Sequence, residues 1–348
     1  MIPPEGVRIV APDSVPGWDD LVLSHADASV FHSAGWANVL SESYGFRPLY
    51  LLKIHGGQIA FAIPLMEIRN PFGMRRGVSL PFSDYCDPLL GEGISFGDVM
   101  PHLLEYGKSA GWRSLEIRCS RLPLKDPEPS ATYLHHTLSL CEDADSIYRG
   151  LRESTRRNIQ KARKGKVEVR FCNTMESVKY YYELHCLTRK EQGLPPQPFS
   201  FFTNLHRHLI GRDAGVVLLA FLGDAPVAGA IFLQFGKKAF YKYGASDKKF
   251  QELRPNNLVM WEGIQRYSRS GYQSLCFGRT ESEHKGLGQY KRGWGSVESS
   301  LTYYKYDFGK SGYGAEPAKL ERWHTGIFRR MPIPLLKAIG NAIYRYAA

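Results

Sequence analysis

Leu218-Leu219-Ala220-Phe221-Leu222-Gly223-Asp224, running on into Val227-Ala228-Gly229-Ala230-Ile231-Phe232-Leu233, reads as two β-rich runs joined by a Gly-containing turn. The same design occurs earlier, as Leu51-Leu52-Lys53-Ile54-His55-Gly56-Gly57 and Ile59-Ala60-Phe61-Ala62-Ile63-Pro64-Leu65. Two further matches follow each hairpin in the same order. Phe235-Gly236 leads to Ser246-Asp247 at the spacing at which Phe72-Gly73 leads to Ser83-Asp84. Val259-Met260 leads to Gly271-Tyr272-Gln273-Ser274-Leu275, as Val99-Met100 leads to Gly111-Trp112-Arg113-Ser114-Leu115. Three collinear matches near one common offset imply two copies of one α/β unit. Each copy is expected to end as hairpin, strand, helix and buried strand (residues 114–119 and 274–277). A hairpin feeding a helix and a further strand makes a mixed α+β sheet rather than a pure βαβ ladder.

The 348 residues and 39.4 kDa fit two domains. The boundaries expected are 1–140 and 141–308, with a tail at 309–348. With 43% hydrophobic and 23% charged residues, the chain is a core-forming globular protein, not a disordered or fibrous one. A formal charge of +11 and a pI near 9.3 favour anionic or phosphorylated partners, nucleic acid or an acidic membrane face. The first twenty residues, MIPPEGVRIVAPDSVPGWDD, do not read as a signal peptide, and no apolar run is long enough for a membrane span. The cysteines at 86, 119, 141, 172, 186 and 276 lack any CxxC pairing and read as small buried hydrophobes of a cytoplasmic protein.

Familiar catalytic signatures are missing. Gly107-Lys108-Ser109 resembles the end of a P-loop, but position 102 is His where Gly is required. Gly286-Leu287-Gly288 is followed by Lys291 where a dinucleotide fingerprint needs Gly. There is neither an HExxH helix nor a GxSxG elbow. His206 and His208 point to different helix faces, so no metal is expected.

Two segments carry the functional signal. A single helix is expected over residues 144–164. Leu151, Thr155, Ile159 and Ala162 fall on one face and Arg149, Arg152, Arg156 and Arg163 on the adjacent one. Arg156, Arg157 and Lys161 are the candidate phosphate contacts, since guanidinium groups bind phosphate bidentately. A solvated helix face is the plainer reading of the same residues. The second segment is Phe277-Gly278-Arg279-Thr280 with Gly286-Leu287-Gly288-Gln289-Tyr290-Lys291-Arg292-Gly293-Trp294-Gly295, which follows a buried strand. Ligands collect beyond strand ends in such sheets, and glycines let backbone approach them.

FGRT…GLGQYKRGWG, followed by Leu301-Thr302-Tyr303-Tyr304-Lys305-Tyr306, resembles the FemAB-like peptidyltransferases. More narrowly, it is similar to the FemAB-related proteins found beside bacterial exosortase and exopolysaccharide systems. Phe31-His32-Ser33-Ala34-Gly35-Trp36, the Arg-Arg-Asn-Ile-Gln-Lys-Ala helix, and Gly193-Leu194-Pro195-Pro196 before Phe201-Phe202 add to the pattern, which covers about residues 30–308. The resemblance implies a tandem of GNAT-like (acyl-CoA N-acyltransferase) domains. It implies transfer of an acyl or aminoacyl group from an activated donor to an amine of a cell-envelope or polysaccharide precursor. It places Tyr290 and Lys291 at the acyl end of the donor, Lys291 stabilising developing negative charge. The chain departs from the subgroup at Cys276, where Asp is usual, and lacks the coiled-coil arm of some tRNA-using members. Arg254-Pro255-Asn256-Asn257 stands where CoA-dependent GNAT enzymes carry their pyrophosphate loop.

The expected site therefore comprises Lys291 as catalytic residue and Arg279, Tyr290, Asn256 and Asn257 on the donor, with Asp84, Tyr85 and Tyr243 lining the acceptor side. No resident cofactor is expected. The donor is acetyl-CoA, another acyl-CoA or aminoacyl-tRNA. The alternatives are an acetyl-CoA-dependent N-acetyltransferase and a non-catalytic basic module for membrane surfaces or nucleic acid. The tail from Lys319 interleaves Leu320, Trp323, Ile327, Phe328, Leu335, Leu336, Ile339 and Ile343 with basic residues, and Pro332 and Pro334 are expected to split it into two helices. It either packs on the first domain or anchors the chain at the inner face of an anionic plasma membrane through 319–348.

Overall fold

The computed structural model describes residues 6–120, 127–140, 143–314 and 324–346. Cys141 and the tail residues Lys319, Leu320, Arg322 and Trp323 lie outside these residues. The chain forms two compact units. One comprises Met1–Tyr133, Ser300–Leu320 and Arg345–Ala348; the other comprises Leu134–Ser299 and Glu321–Tyr344. Residues 302–307, expected in the second domain, belong to the first unit because they pair antiparallel with its strand Trp112–Cys119.

The repeat has a structural counterpart in each unit. In the first, strand Arg75–Val78 is followed by helix Phe96–Ser109 and strand Trp112–Cys119, and the two strands pair in parallel. In the second, strand Lys238–Ser246 is followed by helix Pro255–Arg269 and strand Ser274–Thr280, again in parallel. The hairpins differ for a local reason. Pro64 has no N–H to give a ladder. The first unit's run therefore divides into Gln58–Ile63, paired with Tyr50–His55, and Met66–Arg69, paired with Arg75–Val78 in a different sheet. Its counterpart Ala225–Phe235 is unbroken and joins both neighbours, Gly215–Leu222 and Lys238–Ser246.

The core of the second unit packs helix Pro255–Arg269 on this sheet through Leu258, Val259, Trp261, Ile264 and Tyr267. Full burial of each such side chain stabilises by roughly 1.5–3 kcal/mol. Gly263 permits the approach: a Cβ there would lie 2.5 Å from the Phe232 ring.

The single basic helix expected over 144–164 is two helices, Ala144–Gly150 and Glu153–Lys164. The break has a partner: the Arg152 N–H, freed from the helix, donates to the Gly293 carbonyl at 3.0 Å. Leu151, Thr155, Ile159 and Ala162 are buried, and the second helix packs on Pro255–Arg269.

The tail forms helices His324–Arg330 and Ile333–Ile343 on either side of Pro332. The bland expectation placed it on the first domain; the structure packs both helices on the second unit's helix Met175–Glu191. Arg329 Nε donates to the Glu191 carbonyl at 3.0 Å, and the Tyr344 hydroxyl donates to the Pro195 carbonyl at 3.2 Å. Among the described residues no helix is long and apolar enough to cross a membrane.

Candidate functional site

The parallel strands of the second unit stay together only briefly. Residues 238–240 pair with 274–276, yet the strands run on to Ser246 and Thr280. Beyond Phe240 and Cys276 they part. A cavity of about 280 Å³ lies there, lined by Tyr241, Ser246, Gln251, Arg254, Asn256, Asn257 and Tyr290. The corresponding gap of the first unit is closed by its own chain. Ser79 N–H donates to the Glu116 carbonyl and Cys86 N–H to the Arg118 carbonyl. The buried Arg118 side chain pairs with Glu116 at 2.7 Å and reaches the Leu80 and Ser83 carbonyls.

The cavity floor is the N-terminus of helix Pro255–Arg269. Its first turn carries the positive end of the macrodipole; Pro255 has no N–H, and the Asn257 N–H donates to the Arg254 carbonyl at 3.0 Å. Arg254 precedes it at φ +57°, in the left-handed region, with Pro255 opening the helix. The Arg254 Nε is buried and makes no hydrogen bond within the protein. Asn257 is buried, while Asn256 donates to the Ser246 hydroxyl at 3.0 Å. Two phenols complete the wall. Burial pushes Tyr241 up to about 12 and Tyr290 well above the ordinary tyrosine value, so both remain neutral donors. A guanidinium, a helix N-terminus, carboxamides and neutral phenols suit an anionic or strongly polarised acyl group.

Asn256, Asn257 and Tyr290, expected on the donor, come together here. Arg254, Tyr241 and Gln251 were not in the expected set. Arg254 had a signal, a cation directly before a helix-opening proline. Tyr241 had none, because a bulge decides it. Ile231 pairs with Tyr243 and Phe232 with Tyr241, leaving Lys242 as the extra residue. Tyr241 therefore packs on Phe232, whereas the Tyr243 ring meets Phe201 and Phe202 and does not line the cavity.

Lys291 does not line the cavity either. It is 4% exposed, one residue beyond Tyr290, and its ammonium donates to the Gly278 and Arg279 carbonyls at 2.8 and 3.0 Å. Those carbonyls turn toward it because Gly278 sits at φ +71°, inside an irregularity between Cys276 and Arg279 where the strand meets Ala131–Ser139. Arg279 itself is exposed. Lys161 pairs with Glu252 at 3.5 Å, in the turn Lys248–Leu253 beside the cavity, and Arg157 makes an exposed pair with Glu153. Arg156 donates to the Arg149 carbonyl. Asp84 and Tyr85 lie in the first unit, in the segment that closes its gap. The Asp84 carbonyl accepts the Tyr303 hydroxyl, and Tyr85 packs against Phe31.

The cysteines divide. Cys86 and Cys119 are fully buried, and burial pushes their thiols well above the ordinary value. Cys86 lies 3.5 Å from His32 Nε2, a nitrogen that donates to the Asp87 carbonyl at 2.8 Å, and Cys276 stands 3.1 Å from His135 Nε2. Among the described residues no three His, Cys, Asp or Glu side chains converge as a metal-ligand set.

Residues 149–292 match the profile of the acetyltransferase (GNAT) domain family. The fold is similar to that of a solved FemX, at TM-score 0.67 and 15% identity over 87% of this chain and 98% of that one. The chain has a FemAB-like GNAT fold. A tandem GNAT protein from the clavulanic acid biosynthesis pathway superposes at TM-score 0.53 and 11% identity, covering 86% of this chain and 98% of that one. In sequence, a lipid II:glycine glycyltransferase of Staphylococcus haemolyticus is 33% identical over 79 residues, 21% of this chain. That match spans only 19% of the relative's length. The parting strands, helix N-terminus and cavity all fall in the second unit, within the residues that match the GNAT profile.

Proposed function

We propose that the protein is an N-acyltransferase of the FemAB type. It transfers an acyl or aminoacyl group from an activated donor to an amine of a cell-envelope or polysaccharide precursor. The observation that carries this reading is the cavity at the parting strands of the second unit, floored by a helix N-terminus and the half-buried Arg254, whose Nε is buried. At about 280 Å³ it lies just below the range of ligand pockets, roughly 300 to 1,000 Å³. That size suits the acyl end of a donor rather than a whole nucleotide.

Arg254, Asn256, Asn257 and Tyr290 hold the donor in this reading, and the exposed Arg279 meets it at the strand end. Arg156, Arg157 and Lys161 offer charge to phosphates of donor or acceptor. The acceptor amine attacks the carbonyl, and the Arg254 guanidinium with the Asn256 N–H at the helix start stabilises the oxyanion. Lys291 acts through the backbone, by fixing the strand end that frames the cavity. The lipid II:glycine glycyltransferase likeness supports an anionic, lipid-linked acceptor. Ile327, Leu335 and Ile343 remain exposed on the docked tail beside Arg330, which supports contact with an anionic membrane face. Aminoacyl-tRNA and acyl-CoA are the two donor classes to separate.

The test supplies acetyl-CoA and glycyl-tRNA in separate reactions, with an amine-bearing lipid II acceptor, and reads the product by mass. An acceptor heavier by one acyl or glycyl group with one donor supports the reading. Liposome or nucleic-acid binding without transfer from either donor would favour the non-catalytic alternative.

A further inference from the structure

Outside the cavity lining, the second unit holds a second set of chemically competent groups. Cys276 is the last residue of its strand to pair with Lys238–Ser246, opposite Phe240, and the next residue along that neighbour, Tyr241, lines the cavity. Cys276 therefore stands at the point where the strands begin to part. Its Sγ lies 3.1 Å from His135 Nε2, on strand Ala131–Ser139. The other ring nitrogen, Nδ1, lies 3.3 Å from the Ser299 hydroxyl. If Nε2 accepts the thiol proton, Nδ1 carries its own and donates it to Ser299, so one tautomer satisfies both contacts. The Gly278 N–H donates to Sγ at 3.3 Å. The irregularity between Cys276 and Arg279, with Gly278 at φ +71°, turns that N–H back toward the sulfur. The Lys291 ammonium holds the same peptide segment from its carbonyl side.

Nucleophile, base, orienting hydroxyl and a backbone donor on the sulfur are the parts of an activated thiol. Cys276 and His135 are 5% and 7% exposed, beside the exposed Arg279 and Ser299. Cys119, buried in an apolar core, has none of these partners; Cys86 lies 3.5 Å from His32 Nε2, but that nitrogen donates its proton to the Asp87 carbonyl at 2.8 Å and cannot accept one from the thiol.

We propose that Cys276, with His135 as its base, carries the acyl group as a thioester during transfer. This rests on the acyltransferase reading above. In the first half-reaction Sγ attacks the acyl carbonyl and its proton passes to His135 Nε2. The bond from the carbonyl carbon to the leaving group then breaks, and that group departs with the proton. In the second, the acceptor amine attacks the thioester and the amide bond forms. The C–S bond breaks, and the amine's proton returns through His135 to the thiol. No electron transfer occurs in either half.

The experiment uses wild-type full-length protein with acetyl-CoA and, separately, the S-acetyl thioester of N-acetylcysteamine. Reactions are acid-quenched without acceptor and mapped by peptide mass. One acetyl group on the peptide containing Cys276 is expected, formed about 10²-fold more slowly in His135→Asn, the scale of a lost general base. Acylation that spares Cys276, or none from acetyl-CoA, the thioester or glycyl-tRNA mapped in the same way, overturns the proposal; because the mapping is done on wild-type protein, variant folding does not enter. Amide formation is then compared in Cys276→Ala and Cys276→Ser. Wild-type rates in either also overturn the thioester route, while leaving direct transfer standing. Acetylated Cys276 with no amide product from any donor would instead defeat the acyltransferase reading and keep the reactive pair.

Discussion

The Lys291 ammonium sits 2.8 Å from the Gly278 carbonyl oxygen and 3.0 Å from that of Arg279, so one buried cation ties a helix to the end of the strand beside the cavity. Removing it leaves two carbonyls without that donor, at about 1–3 kcal/mol each where they are buried. Lys291→Met is expected to lower thermal stability and to lower turnover roughly 10²-fold, the scale of a small misplacement of reacting groups. His136 gives an independent readout. Burial, and then the Lys291 charge, hold its imidazole below the ordinary histidine value. Its pKa should rise in Lys291→Met, measurable by NMR titration, because a repelling cation is gone. An unchanged His136 together with unchanged turnover would show that Lys291 is dispensable.

Arg254 offers a cleaner test of donor binding. It occupies a left-handed backbone conformation, which Gly adopts freely. Arg254→Gly therefore removes the guanidinium while easing the backbone. A hydrogen bond to a charged group contributes about 1.5–3 kcal/mol, so the variant should bind the donor roughly ten- to a hundredfold more weakly at unchanged or raised stability. Equal KM for the donor in steady-state kinetics would take Arg254 out of the site.

The second unit should lose stability in mild acid. His185 is buried among Tyr181, Tyr182 and Phe202, and burial, with the nearby Arg189 charge, lowers its pKa to about 3. The unfolded chain takes up a proton near pH 6.5, which the folded chain refuses until about pH 3. This contribution is fully present above the unfolded value. It falls as pH drops between the two, by about 1.4 kcal/mol per pH unit at most. Urea unfolding at pH 7 and pH 5 should show the decline, flattened in His185→Phe. An equal decline in that variant would assign the acid sensitivity elsewhere.

Docking of the tail hinges on Gly340. A Cβ there would lie 2.0 Å from the Pro196 carbonyl oxygen. Gly340→Val should push helix Ile333–Ile343 off the loop at a cost of about 1–3 kcal/mol, as overpacking does. Limited proteolysis should then cut the tail faster than in wild type. A digestion pattern like the wild type's would mean that the helix is not held by this contact.

The duplication was legible because its markers are backbone-determined: Gly turns, strand starts and the residues that open helices. Asn256, Asn257 and Tyr290 were legible as neighbours because they flank a strand end and a helix start. Tyr241 and Tyr243 were not separable, since a single bulged residue, Lys242, decides which ring faces the cavity. The break at Leu151 was hidden because its compensation, the Gly293 carbonyl, comes from a distant part of the chain. The Cys276–His135 contact was hidden for the same reason: it is made between strands that lie far apart in sequence.

The central claim is that an acyl donor binds where the strands of the GNAT domain part. A crystal structure of the protein with the donor that supports transfer tests it most directly. The account predicts the donor's acyl end among Arg254, Asn256, Asn257, Tyr241 and Tyr290, within reach of Cys276. A donor bound at any other place on the chain, with that cavity empty, would contradict it.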